Sequence, residues 1–195
     1  MCDAFFRLVR NIIFRRFMLN YNFVVLYFVK YVFGFSAFSE SLSKLSAFYL
    51  VPMLRKFGAK IGNHSKIESG FTLHNARDLS KLIIGEKCYI GKNTLVDLRE
   101  KVVIGDRVVI AMNVTLLTHL DVGASKLSSC YPPRESSLYI ANDSYIGEGT
   151  SILMGVRIGE CSLVGAKSLV TKSCDGYGLY VGVPAVRVKD IYVKK

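Results

Sequence analysis

From Ile61 onward, an aliphatic residue returns at every sixth position within a series of short blocks. The blocks are Ile61, Ile67, Leu73; Ile84, Ile90, Val96; Ile104, Ile110, Leu116; Ile140, Ile146, Ile152; and Ile158, Val164, Val170. A period of six fits neither an amphipathic helix nor the strict alternation of a half-buried strand. It fits a solenoid in which three short, flat strands complete one turn and stacked turns bury a continuous core. Glycine follows many of these positions, as in Ile61-Gly62, Ile84-Gly85 and Ile104-Gly105. A small or β-branched residue often stands four places on, as at Ser65, Thr94, Ser144 and Ser168. The aliphatic side chain is expected to point inward, with glycine easing the tight corner and the small residue filling the space inside it.

Laid out this way, the repeat gives five coils beginning at Ile61, Ile84, Ile104, Ile140 and Ile158. Short insertions fall near 75–83 and 102–103, and a long one, 122–139, separates the third coil from the fourth. The segment Cys130-Tyr131-Pro132-Pro133-Arg134 is read as unable to continue a strand, so this insertion is expected to leave the prism. The resulting organisation is a helical segment over 1–60, a mainly β solenoid over 61–185 carrying the loop 122–139, and a tail over 186–195.

Composition separates the first segment from the rest. Residues 1–60 hold Arg7, Arg10, Arg15, Arg16, Lys30, Lys44, Arg55, Lys56 and Lys60 against only Asp3 and Glu40, and this supplies most of the +11 net charge. With its many Phe and Tyr residues, the segment suits an anionic membrane surface. No zinc-finger spacing or RNA-binding sheet signature supports nucleic acid as a partner. The apolar run 23–38 is too short and too interrupted to span a bilayer. Arg7, Arg10, Arg15 and Arg16 among Phe5, Phe6, Leu8, Val9, Ile12, Ile13, Phe14 and Phe17 suggest a helix lying in the interface, with residues 1–45 as a peripheral anchor. The competing reading is that these apolar residues cap the solenoid or pack between subunits. Five scattered cysteines form no C-x-x-C pair, so small thiols in a reducing compartment are expected rather than disulfides or structural zinc.

Only three histidines are present. His64 and His74 fall at corners of the first coil and read as solvated. His119 ends the third coil in Thr118-His119-Leu120-Asp121, immediately before the long loop. The string from Ile104-Gly105-Asp106 through Asn113-Val114-Thr115-Leu116-Leu117-Thr118-His119 resembles a segment of the galactoside, maltose and colanic-acid-type O-acetyltransferases of the hexapeptide-repeat superfamily. So do Ile158-Gly159-Glu160, Val164-Gly165-Ala166-Lys167-Ser168-Leu169-Val170-Thr171-Lys172 and the closing Gly182-Val183-Pro184-Ala185.

That resemblance, over roughly 61–185, implies a left-handed parallel β-helix, acetyl-CoA as donor and no metal. It also implies a homotrimer with active sites between subunits. It makes His119 the catalytic base: an imidazole titrates near neutral pH, so it can take the proton of an attacking hydroxyl and return it to the leaving thiolate. Asp121 is expected to orient His119 or touch the acceptor, and Asp97 is a second candidate for acceptor hydroxyls. Ala166, Thr171 and Lys172 are expected along the donor, with Lys167, Arg187 and Lys189 near its phosphates. The sequence departs from its relatives at Tyr145, Glu148 and Val186. The γ-type carbonic anhydrases share the fold but need a closely spaced histidine pair and a third ligand, which His64, His74 and His119 do not supply. The expected acceptor is a saccharide of surface or capsular polysaccharide biosynthesis, acetylated at the inner face of the cytoplasmic membrane. The alternatives are a small acceptor such as an antibiotic or amino sugar, and a non-catalytic β-helix scaffold.

Overall fold

The computed structural model describes residues 2–76 and 78–193, with side chains from residue 13 onward. The side chains of Phe5, Phe6, Arg7, Leu8, Val9, Arg10 and Ile12, invoked above for an interfacial helix, lie outside the described residues. Three helices come first: α1 (Cys2–Val32), α2 (Gly34–Ser43) and α3 (Ala47–Lys56). A three-faced parallel solenoid follows. Its first face stacks Lys60–Ile61, Leu82–Ile84, Val102–Ile104, Leu138–Ile140 and Arg157–Ile158. The second runs from Lys66–Ile67 to Gly178–Gly182, and the third from Thr72–His74 to Leu169–Val170.

The hexad residues form three internal ladders. Ile61, Ile84, Ile104, Ile140 and Ile158 are in register on the first face. Ile67, Ile90, Ile110, Ile146 and Val164 are in register on the second, and Leu73, Val96, Leu116, Ile152 and Val170 on the third. Every one is buried. Their burial removes apolar surface from water at roughly 25 cal/mol per Å², and it is the principal term holding coil on coil.

The residues around each hexad position explain the corners, and they correct one expectation. The backbone turns left-handed three places after the aliphatic residue, at His64, Lys87, Asn93, Arg107, Asn113, Asp143, Cys161 and Lys167, and at Gly70, Gly149 and Gly155. The glycine directly after the aliphatic residue is required for a different reason. A Cβ on Gly62 would stand 2.5 Å from the carbonyl carbon of Gly85, and one on Gly91 would stand 2.5 Å from that of Ala111. Close approach of successive coils, rather than a special dihedral, selects glycine there. The small residues four places on turn inward and bond the next coil: Ser144 Oγ donates to Gly159 O at 3.0 Å, and Thr150 Oγ1 donates to Gly165 O at 3.1 Å.

The fold continues beyond the five coils. Cys174 bridges in parallel to Ile158. Tyr180 then pairs with Val164 and is buried. This partial sixth turn escapes the hexad pattern because the step from Val170 to Cys174 is shortened. The expected tail is also ordered: Ala185–Asp190 turns back at Gly182-Val183-Pro184-Ala185 and pairs antiparallel with Gly178–Gly182, covering that edge. At the opposite end, α2 and α3 close the first coil. Ser39 Oγ donates to Leu73 O at 2.6 Å and accepts from Leu73 N at 3.0 Å. Arg55 donates to the carbonyls of Ile61 and Gly62. These contacts satisfy strand groups that have no preceding coil. Phe38, Leu42, Leu50, Met53 and Leu54 are fully buried and extend the solenoid core into the helices.

The long insertion is a hairpin. His119–Leu120 pairs antiparallel with Arg134–Glu135, so the chain re-enters strand at Arg134, a residue expected to remain outside one. A short 3-10 turn, Lys126–Ser129, lies between. Of the cysteines, Cys88 and Cys174 are buried and Cys161 is half-buried, but Cys130 in this insertion is exposed. Burial pushes the Cys174 thiol up to about 11, as suits a packing residue.

Candidate active site

Coil stacking brings Asp97 to His119. Val96 is in register with Leu116, so the residue after Val96 lies beside the start of Leu117-Thr118-His119. Asp97 is fully buried, and its Oδ2 lies 2.5 Å from His119 Nδ1. The same oxygen accepts the Thr118 N–H at 2.9 Å and the Thr118 hydroxyl at 2.8 Å. Burial pushes the Asp97 carboxyl upward, but the bonds from His119 and Thr118 outweigh it and hold the pKa below the ordinary aspartate value. An ionised carboxylate accepts only, so Nδ1–H donates to it; in the neutral ring Nε2 then presents its lone pair. Asn75 stands 3.3 Å from that Nε2 through its Nδ2 and can donate to it.

Asn75 is out of step with the corners. It is left-handed at φ 52° only two places after Leu73, where the other described corners turn after three. Asparagine tolerates this conformation better than most residues. The irregular corner brings a side-chain amide to the imidazole, and local strain of this kind clusters at functional sites.

Asp121, expected to orient His119 or to touch the acceptor, is not bonded to the imidazole. It accepts the Gly123 N–H at 2.8 Å and pairs with Arg99 at 3.2 Å, and these two contacts hold its carboxyl below the usual range. Arg99 also approaches Glu135 at 3.8 Å, so one guanidinium ties both limbs of the hairpin to the second coil. Asp97 rather than Asp121 therefore bonds the imidazole, and the exposed Asp121 helps to fix the loop.

Beside the histidine lies a cleft of about 490 Å³ walled by His74, Asn75, Lys81, Arg99 and Glu135, with Phe35 and Ser36 of α2 closing one side. His74, expected to be merely solvated, is on this wall, its ring centroid 6.3 Å from that of His119. Asn75, Arg99 and Glu135 were not singled out by the repeat. The coil register carries the signal for Arg99, since Ile84↔Ile104 and Val96↔Leu116 place residues 97–99 next to 117–119. Nothing local marks Glu135, which arrives through the hairpin.

The residues expected along the donor divide between two edges of the third face. Leu117, Leu153 and Thr171 follow one another at the edge that carries His119, linked by Leu117 N to Ile152 O and Leu153 N to Val170 O, both 3.0 Å. Thr171 and Lys172 are exposed there, two coil steps of roughly 4.8 Å from Leu117. Ala166 and Lys167 occupy the opposite edge, before the strand Leu169–Val170, and Lys167 is held by Glu148 at 3.0 Å. Arg187 is engaged within its own end of the chain by Asp190 and the Tyr177 carbonyl. Lys189 is in register with Leu179 on the second face. Among the described residues, metal-type ligands group at Asp143, Glu160 and Cys161, at a different corner from His119. There Asp143 is paired two-pronged with Arg107 at 2.6 Å.

Comparison with known proteins agrees with the solenoid fold. The family described as the hexapeptide repeat of succinyl-transferase matches residues 81–118. A galactoside O-acetyltransferase of Lactococcus lactis is 30% identical over 135 residues, covering 69% of this chain and 64% of the relative. A chloramphenicol acetyltransferase of Morganella morganii is 32% identical over 127 residues, covering 65% and 60%. The chain thus spans less than two thirds of the length of either relative. A solved galactoside acetyltransferase in complex with coenzyme A shares the fold with a TM-score of 0.70 at 24% identity, covering 89% of this chain and 82% of that one. The family match and these relatives support the hexapeptide-repeat acyltransferase superfamily, and the chain has the left-handed parallel β-helix fold of the solved galactoside acetyltransferase.

Proposed function

We propose that the chain is an acetyl-CoA-dependent O-acetyltransferase whose acceptor is a saccharide hydroxyl, serving surface or capsular polysaccharide biosynthesis. The observation that carries this reading is the relay Asp97–His119 beside a polar cleft. Asp97 holds Nδ1–H and stabilises positive charge on the ring. His119 Nε2 takes the proton of the acceptor hydroxyl as its oxygen attacks the thioester carbonyl carbon, and returns that proton to sulfur as the C–S bond breaks. The products are an acetyl ester and free coenzyme A. Acetyl-CoA supplies the activated acyl group, while this chain's residues position both partners and move the proton.

The charged and amide walls of the cleft favour a polyhydroxyl acceptor over a largely apolar aromatic one. A scaffold reading accounts for the bonds of the buried Asp97 to Thr118 but gives no use to its bond with His119 beside the cleft. The division of Ala166 and Lys167 from the His119 edge supports a homotrimer. The donor then lies between one copy's His119 edge and a neighbour's Ala166 edge, so each site needs two chains.

The test is to incubate the protein with acetyl-CoA and the host's glycan intermediates and to detect added acetyl groups by mass spectrometry. Ester-linked acetyl on a sugar is expected. Transfer confined to amines, or none at all, rejects the reading.

A further inference from the structure

Among the described residues nothing packs against the outward face of α1. Its inner side, with Leu19, Phe23, Leu26 and Val29, packs on the core. The opposite arc carries Ile13, Phe17, Tyr21, Val24, Phe28 and Tyr31, all exposed. Phe33, just past the helix, is 65% exposed. On a 3.6-residue helix these positions form one continuous stripe. Among the described residues no charged side chain interrupts it: by helical phase Arg15, Arg16 and Lys30 fall on the inner side, Arg15 over the Phe48 ring and Lys30 over those of Phe38 and Phe57. No helix of the described chain is long and apolar enough to cross a membrane.

We propose that this face of α1 seats in the interface of an anionic lipid surface, with the helix lying in the membrane plane. Aromatic and aliphatic side chains enter the headgroup–acyl boundary, and Tyr21 and Tyr31 leave their hydroxyls at headgroup level, while the basic segment as a whole is drawn to the anionic surface. Charge selects lipid over a second copy of the chain. Residues 1–60 carry Asp3 and Glu40 as their only acids, so pairing two α1 faces sets two strongly basic segments against each other. An anionic surface complements the same charge. The cleft begins at Phe35 and Ser36, just beyond the end of the stripe. Docking therefore keeps the cleft close to the membrane and to saccharides carried on lipids; that consequence rests on the acyl-transfer reading, whereas docking itself does not.

The chain contains no Trp, so an introduced one reports alone. Phe28→Trp and Tyr177→Trp, the latter on the last coil, are mixed with vesicles of phosphatidylcholine, with or without phosphatidylglycerol, containing brominated lipid. With phosphatidylglycerol present, the Phe28→Trp emission is expected to shift blue and be quenched, and the Tyr177→Trp emission to stay unchanged. Raised salt should weaken the effect. Adding Phe17→Ser and Tyr21→Ser should weaken partitioning roughly tenfold or more. Absence of quenching overturns the proposal. So does a blue shift without lipid that grows with protein concentration, because the face is then covered by another copy. Equal binding to neutral vesicles overturns the role of charge. None of these outcomes depends on acetyl transfer.

Discussion

Asp97 Oδ2 and His119 Nδ1 lie 2.5 Å apart although 22 residues separate them in sequence. The contact is a product of the repeat: one coil step carries Val96 onto Leu116, and the aspartate and histidine follow at the same edge. An acid fully buried for one imidazole fixes its tautomer and stabilises its protonated form.

Asp97→Asn should therefore lower kcat by about 10² or more while leaving acetyl-CoA affinity nearly unchanged. The amide keeps the shape but removes the charge and can present the wrong group to Nδ1. Steady-state kinetics with a calorimetric Kd for acetyl-CoA checks both parts.

The depressed pKa of Asp97 makes a stability prediction with a definite sign. Its contribution is present above the unfolded aspartate value, about 3.9, and is lost as pH falls through the lower native value. Thermal melts of wild type and Asp97→Asn should differ most above about pH 4 and converge below it. A difference that widens on acidification contradicts the assignment.

Gly91→Ala should unfold or strongly destabilise the solenoid, because the new Cβ meets the backbone of Ala111 and Met112 at 2.5–2.7 Å. Neither neighbour is a flexible side-chain end, so a loss of about 3 kcal/mol or more is expected from overpacking. Chemical denaturation of this variant measures it. By contrast, Gly34→Ala meets no atom within 4 Å and bears only the strain of its left-handed backbone.

Arg99→Ala should free both limbs of the hairpin by removing the partner of Asp121 and Glu135. Limited proteolysis is expected to cut within 122–133 faster than in wild type, and KM for the acceptor should rise more than KM for acetyl-CoA. The melting temperature should barely move, since exposed ion pairs add little to stability. Unchanged cleavage and acceptor KM would show that the guanidinium does not hold the loop.

The solenoid was legible because each hexad position obeys one physical demand, burial of an aliphatic side chain, and that demand leaves a periodic trace. The place of His119 at the end of a coil before the insertion was legible too; its part in catalysis is a proposal. The contact of Asp97 with His119 was not legible, because its neighbour is set by coil register rather than by local sequence, and Asp121, two residues from the histidine, looked nearer. Asn75 and His74 were hidden for a related reason: their corner departs from the three-residue rule that makes the other corners regular. The sixth turn was missed where a thiol and a tyrosine, Cys174 and Tyr180, replace aliphatic residues in the ladders.

The most direct measurement is kcat/KM for acetyl transfer by His119→Ala, on the saccharide identified by the mass-spectrometric survey, with acetyl-CoA binding followed in parallel. If Nε2 moves the proton, kcat/KM falls by about 10²–10⁴ while donor affinity is retained. Transfer within about tenfold of wild type would contradict the account, because loss of the base must cost more than that.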